Sequence, residues 1–145
     1  MSRRRLDPHE SLAFHCNLTL KAFLGALGRH LKGTGISSAQ MFALAQLVAS
    51  GPLPQSELVG RLSITRPTGA RLVDRMERDG WVIRQPDPKD GRVKLVVPTD
   101  RATETWEKIS GAGLKMLDQA YLGIDPAEIE TVKRVLEQVR RNLGG

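Results

Sequence analysis

The basic side chains of this 145-residue sequence are concentrated between positions 61 and 94. This stretch carries nine positive and five negative charges, a net +4 of the formal +6 of the whole chain. Clustered guanidinium and ammonium groups bind phosphate oxygens, and counterion release favours their association with a polyanion. The stretch is therefore predicted to form a phosphate-binding surface. Its positive residues are Arg61, Arg66, Arg71, Arg75, Arg78, Arg84, Lys89, Arg92 and Lys94.

A helix-turn-helix followed by a β-hairpin is predicted to position these charges. A short helix fits residues 55–62, the turn "SIT" follows, and an arginine-rich helix fits residues 66–79 before Gly80 ends it. Beyond Gly80 the apolar period changes from 3.6 to 2, with Trp81 and Ile83 expected on one side of a strand. The hairpin loop is then "QPDPKDGR", a charged turn stiffened by two prolines.

Amphipathic helices are predicted on both sides of this unit. The first begins at a cap on Asp7 and runs to about Leu31, and the second, residues 38–49, begins at a capping box of Ser37 and Gln40. Another helix spans about residues 100–122, and the last begins at a similar box on Asp125. The fold class is therefore mainly α with a small β-hairpin.

The first and last helices carry apolar stripes that need a partner surface. We expect the two helices to pack together and against a second copy of the chain. The alternative is that both stripes fold back onto the subunit's own core. The dimerisation contacts are assigned to Leu12, Ile129, Val132, Leu136, Val139 and Leu143.

The segment "RLVDRMERDGWVIRQPDPKDGRVKLVVPT", residues 71–99, resembles the MarR family of winged-helix bacterial regulators. Members of that family show an arginine-rich recognition helix, a glycine, an Arg-(Arg or Gln)-Pro-Asp-Pro turn, an Asp-x-Arg pair at the wing tip and a Lys-Leu-Val strand. The similarity extends upstream through residues 51–70 and more loosely over the whole chain. Pro67 and Gly69 depart from the pattern, because serine and a packing valine are common at these positions.

The resemblance implies a winged helix-turn-helix DNA-binding domain at residues 36–99. An N-terminal dimerisation helix at 1–35 and C-terminal helices at 100–145 would complete the dimerisation region. It further implies a homodimer that binds double-stranded DNA as a sequence-specific transcriptional regulator. Such a regulator most often represses, and a small aromatic or phenolic ligand releases it from a palindromic operator. No cofactor is implied.

The recognition helix is expected to present its first turn to base edges in the major groove. Arg66 is assigned to guanine O6 and N7, Thr68 to a thymine methyl or a phosphate, and Gly69 to a close approach of the backbone. Base-facing positions are thus Thr65, Arg66, Thr68 and Gly69. Phosphate contacts are assigned to Gln55, Ser56, Arg71 and Arg75.

The hairpin loop is expected to lie along the adjacent minor groove, where narrow A·T-rich tracts carry enhanced negative potential. Arg92 is the side chain expected to insert, and Asp90 is expected to hold its guanidinium by a bidentate pair. Lys89 adds a further charge at the tip. The alternative is an ordinary polar hairpin tip.

The family resemblance implies an effector pocket between the dimerisation helices and the DNA-binding unit. Its lining is assigned to Phe14, His15, Met41, Phe42 and Trp106, with His15 or Arg84 meeting an anion. The alternative is that the histidine and methionine are core residues.

Cys16 offers a second mode of control, because some members of the family sense oxidants through a cysteine in the first helix. The alternative is a small buried thiol. Metal control is not expected, since His9, His15 and His30 do not share a helical face.

An enzyme is not expected, because the sequence has no Gly-rich phosphate loop, Gly-x-Ser-x-Gly elbow, His-Glu-x-x-His helix or Cys-x-x-Cys pair. No apolar run approaches the roughly 20 residues that span a bilayer, and residues 1–5 do not begin a signal peptide. The protein is therefore expected to be cytoplasmic. A non-specific architectural DNA-binding protein is the remaining alternative.

Overall fold

Six α-helices and three short β-strands make up the computed structural model, which describes residues 6–145. The N-terminal residues 1–5, on which the expectation of no signal peptide rests, lie outside this range. In chain order the elements are α1 (Leu12–His30), α2 (Ser38–Ser50), β1 (Leu53–Pro54), α3 (Gln55–Arg61), α4 (Arg66–Arg78), β2 (Val82–Pro86), β3 (Lys94–Pro98), α5 (Asp100–Ala120) and α6 (Pro126–Asn142).

Two predicted capping boxes are confirmed. At the start of α2 the Ser37 hydroxyl accepts from the Gln40 N–H at 3.2 Å, and the Gln40 side chain accepts from the Ser37 N–H at 3.0 Å. The box on Asp125 begins α6 in the same way. The predicted start of the first helix is wrong, because the Asp7 carboxylate caps only a 3-10 turn, Pro8–Glu10, and the backbone is extended at Ser11 before α1 begins.

The three strands form one antiparallel sheet with β3 in the middle. The sequence did not predict β1, which pairs Leu53 with Val96. The expected shared side of Trp81 and Ile83 is also wrong, since Trp81 is fully buried and Ile83 is 47% exposed. Trp81 precedes β2 and enters the core from the Gly80 turn, so the alternation begins only at Val82, which faces inward.

The core lies where α1, α2, α4 and α5 meet the inner face of the sheet. Helix α5 packs along α1 and runs unbroken through Gly111 and Gly113. Gly113 is buried against α2, and a Cβ there would lie 2.6 Å from the Met41 methyl carbon. The absence of a side chain at this position therefore brings the two helices close together.

Helix α6 buries none of its residues within the chain. Its apolar stripe is partly exposed, with Val132 at 54% and Val135 at 44%, and Leu12 of α1 is 48% exposed. The alternative in which both stripes fold back onto the subunit's own core therefore fails for α6, although it holds for the C-terminal half of α1, where Leu27 is buried in the core. Within residues 6–145, no helix has the length and apolar character needed to cross a membrane.

Candidate nucleic-acid interface

Helix α4 has one buried face and one basic, exposed face. Thr65 caps it, because its hydroxyl oxygen accepts from the Thr68 N–H at 3.4 Å. Leu72, Val73 and Met76 fill the core side. The opposite side gathers four of the predicted DNA-contacting residues in solvent: Arg66, Thr68, Arg71 and Arg75.

The role assigned to Gly69 is wrong. This residue is buried rather than exposed, and a Cβ on it would lie 2.2 Å from Cγ2 of Val59 in α3. Gly69 therefore permits close contact between the two helices of the helix-turn-helix. The available signal in the sequence was the departure at Gly69 itself, since family members commonly carry a packing valine there, which marks position 69 as a packing site.

The start of α3 meets the start of α4 at a small depression. Gln55, Ser56, Val59 and Arg66 line this cavity of about 240 Å³. Two predicted phosphate contacts thus lie beside the arginine assigned to guanine. The Gln55 side-chain oxygen already accepts a hydrogen bond from Arg84 Nε at 3.0 Å, so only its amide N–H groups remain to donate to a phosphate.

The hairpin tip is held by two aspartates. Asp87 accepts from the Lys89 N–H at 2.8 Å, and Asp90 accepts from the Arg92 N–H at 3.1 Å. The predicted bidentate pair is wrong, because the same Asp90 oxygen meets only Arg92 Nε, at 3.3 Å, while it also holds the backbone. The Arg92 side chain is 94% exposed, so its remaining donors point into solvent.

Arg84, assigned to an effector pocket from the sequence, is engaged by side chains of the helix-turn-helix. Its guanidinium lies 2.6 Å from Asp74 and 3.4 Å from Glu77, both on α4, and it donates to Gln55 on α3. These acidic partners were missed in the sequence. Their spacing of three residues on α4 places them on one helical face and is the signal that could have identified them.

The other residues assigned to an effector pocket are also dispersed. Phe14 packs edge-on against His9 and His15 at the start of α1, with ring centroids 5.2 and 6.0 Å away. Met41 and Trp106 are half-buried and pack against the core. For Met41 this agrees with the alternative that the methionine is a core residue. Only Phe42 lines the largest described groove.

That groove has a volume of about 630 Å³ and lies between α2, the α3–α4 turn and α4. Its walls are mostly apolar, including Phe42, Leu62 and Leu72, and two arginines stand at its rim. Arg61 is held by Ser50 and Glu57 at 2.6 and 2.7 Å. Arg75, by contrast, has no carboxylate partner among residues 6–145.

The C-terminal end of α4 is fixed to α2 and α5. Gln40 donates to Asp79 at 2.9 Å, and this bond is the main reason that the pKa of Asp79 lies below its usual value. Arg101 of α5 donates to the Asp79 carbonyl and lies over the Trp81 ring, 4.1 Å from its centroid. The recognition helix is thus connected directly to the first turn of α5.

Cys16 is exposed on α1, so the alternative of a small buried thiol is wrong within the chain. In the described part of the chain, no three His, Cys, Asp or Glu side chains group closely enough to hold a metal ion.

A helix-turn-helix whose second helix is followed by a β-hairpin defines a winged-helix protein. The sequence model that describes the MarR family matches residues 36–94 of the chain. The HTH-type transcriptional regulator YwoH of Bacillus subtilis, itself uncharacterized, is 32% identical over 108 residues, 74% of this chain and 78% of that protein. The chain belongs to the MarR family of transcriptional regulators.

Solved structures support the same fold. A mutant of MarR from E. coli, complexed with operator DNA, has a TM-score of 0.82 at 24% identity, and the match covers 88% of this chain and 92% of that one. BpsR of Bordetella bronchiseptica, described with regulation of its DNA binding by 6-hydroxynicotinic acid, has a TM-score of 0.83 at 17% identity, with 93% and 96% covered.

Proposed function

We propose that the protein is a homodimeric, sequence-specific transcriptional regulator that represses by covering a promoter. The observation that supports this best is the shared exposure of the basic face of α4 and of Arg92 at the wing tip. A recognition helix beside a wing can contact adjacent grooves of one duplex. The related fold of MarR in complex with operator DNA is consistent with this arrangement.

In this proposal α4 enters the major groove, with Arg66 reading guanine and Thr65 and Thr68 meeting neighbouring bases. Phosphates on either side are contacted from Gln55, Ser56, Arg71 and Arg75. Arg92 enters the minor groove, and Lys89 lies near the backbone beside it.

The exposed stripe of α6 and the exposed leucines of α1 form the proposed dimer interface. A two-fold dimer places two α4 helices on one side of the duplex, so its operator is a palindrome. Dimerisation would bury Val132, Leu136 and Val139, which the single chain leaves partly in solvent.

The groove beside Phe42 is the proposed effector site. An aromatic carboxylate fits its chemistry, because apolar walls cover the ring and Arg75, which has no carboxylate partner among residues 6–145, can meet the anion in place of a DNA phosphate. The regulation of BpsR by 6-hydroxynicotinic acid supports a ring of this kind, since BpsR has the same fold. Arg75 replaces His15 and Arg84 as the proposed anion contact.

A comparison of DNA affinity between palindromic and random duplexes, each at several salt concentrations, tests the proposal. A regulator prefers its palindrome by about 10³-fold or more, whereas an architectural protein binds both equally. Palindromes are selected from a random library with the purified protein. A strictly monomeric protein, or equal affinity for all duplexes, refutes it.

The exposure of Cys16 supports one alternative mode of release, in which an oxidant modifies this thiol. Peroxide would then lower operator affinity in the wild type and leave Cys16→Ser unaffected. An equal response of both proteins excludes this mode.

A further inference from the structure

We infer that Arg84 is a positioning residue for DNA binding, which fixes the wing against the recognition helix so that both reach the duplex as one rigid unit. This inference rests on the proposed function. It assigns a role to a side chain that lies between the two DNA-contacting elements and does not need to touch DNA itself.

The geometry places Arg84 at the junction of three elements. It lies on β2, one of the two outer strands of the sheet, whose free edge faces α4. Its guanidinium reaches Asp74 at 2.6 Å and Glu77 at 3.4 Å on α4, and Gln55 at 3.0 Å on α3. Its backbone N–H also donates to Glu77, at 3.0 Å.

These contacts close the edge of the wing onto the helix. An unpaired N–H on an edge strand normally faces solvent or another chain, but here the N–H of Arg84 donates a hydrogen bond to the Glu77 carboxylate. The side chain of Arg84 is only 22% exposed, while those of Asp74 and Glu77 are 66% and 44% exposed. Ion pairs this close to solvent add little to folding stability, so the network acts mainly on the direction of the hairpin.

Arginine is required by the shape of the site. Its planar fork donates in three directions at once, to Gln55, Asp74 and Glu77. A lysine at position 84 keeps the charge but offers a single ammonium group, which cannot meet partners on both helices together. Arg84→Lys therefore separates positioning from simple attraction to phosphate.

A rigid junction makes the two DNA contacts cooperative. Once α4 is bound, the wing tip is held at a high effective concentration near the minor groove. If the junction loosens, Arg92 must be ordered separately on binding, and its contribution to specific affinity falls. Binding to random DNA, which depends on charge rather than on register, is largely retained.

The first experiment measures the affinity of the full-length protein for its selected palindrome and for random duplex. Arg84→Lys and Asp74→Asn are each expected to weaken palindrome binding by at least about fivefold, the scale of coupling within a side-chain network. The result for Asp74→Asn is the sharper one, since removing an acidic group near DNA would otherwise strengthen binding. Glu130→Gln, which removes the acidic partner of Lys133 from an exposed ion pair on α6, is the matched control and should bind as the wild type does.

The second experiment removes Arg92 in both backgrounds. Arg92→Ala should cost several times more affinity in the wild type than in Arg84→Lys. An equal cost in the two backgrounds, or Asp74→Asn binding its palindrome as tightly as the wild type or more tightly, overturns the positioning role. Unfolding midpoints measured in parallel establish that the variants are folded.

The outcomes for the wild type distinguish the two proposals. A wild-type protein that binds palindrome and random duplex equally overturns the proposed function and this inference with it. A wild type that discriminates strongly, beside variants that discriminate equally well, overturns the positioning role alone.

Discussion

Gly69→Ala is expected to destabilise the protein although alanine is the better helix former. The new Cβ would lie 2.2 Å from Cγ2 and 2.9 Å from Cγ1 of Val59, far inside the roughly 3.5 to 4 Å at which carbon atoms pack. Val59 is buried and β-branched, so it has essentially one rotamer in a helix and cannot swing aside. Helices α3 and α4 must therefore separate.

The magnitude follows from two opposing effects. Overpacking of this severity costs about 3 kcal/mol, the upper end of the usual range. Replacing glycine by alanine within a helix raises the free energy of unfolding by about 1 kcal/mol. The free energy of unfolding should fall by about 2 kcal/mol, which lowers the melting temperature by roughly 4 to 8 °C in a chain of this size. Protein concentration is held fixed, since a dimer's melting temperature depends on it.

Val59→Ala provides the test of cause. In that background the clashing methyl groups are gone, and Gly69→Ala should be close to neutral, a coupling of about 2 kcal/mol. Gly60→Ala is the matched control, because a Cβ at Gly60 in α3 meets nothing within 4 Å and should stabilise by up to about 1 kcal/mol. An equal cost of Gly69→Ala in both backgrounds, measured by urea unfolding, would refute the packing argument.

Three further outcomes are expected. Arg92→Ala should weaken operator binding and lower the salt dependence by about one counterion per subunit without changing the melting temperature, as titrations at several salt concentrations would show. Asp79→Asn should lose less stability than the wild type between about pH 6 and pH 3. The pKa of Asp79 is lower in the folded chain than in the unfolded one, so the contribution of its carboxylate to folding stability disappears as pH falls through the folded value. Unfolding curves across that range check the sign, and a steeper loss in the variant would contradict it. Val132→Glu should give a folded monomer in sedimentation measurements, since this side chain is 54% exposed within the subunit.

Local sequence signals determined most of the elements. The boxes on Ser37 and Asp125 begin their helices, and Gly80 ends α4 with a φ of 80°. These signals act within a few residues, so they do not depend on the rest of the chain. The family pattern in residues 71–99 likewise placed the wing correctly, and the basic residues of α4 are exposed as expected.

Contacts between distant residues decided the rest. From the sequence, Gly69 and Arg84 were assigned to ligands, whereas in the structure the first packs on Val59 and the second pairs with Asp74 and Glu77. The strand β1 exists because Leu53 pairs with Val96, 43 positions further along the chain. Glycine and arginine are compatible with several environments, so their types alone do not determine their partners. Only the packing of α3, α4 and the wing against one another selects which groups meet, because burial and hydrogen bonding favour the arrangement that satisfies all three elements together.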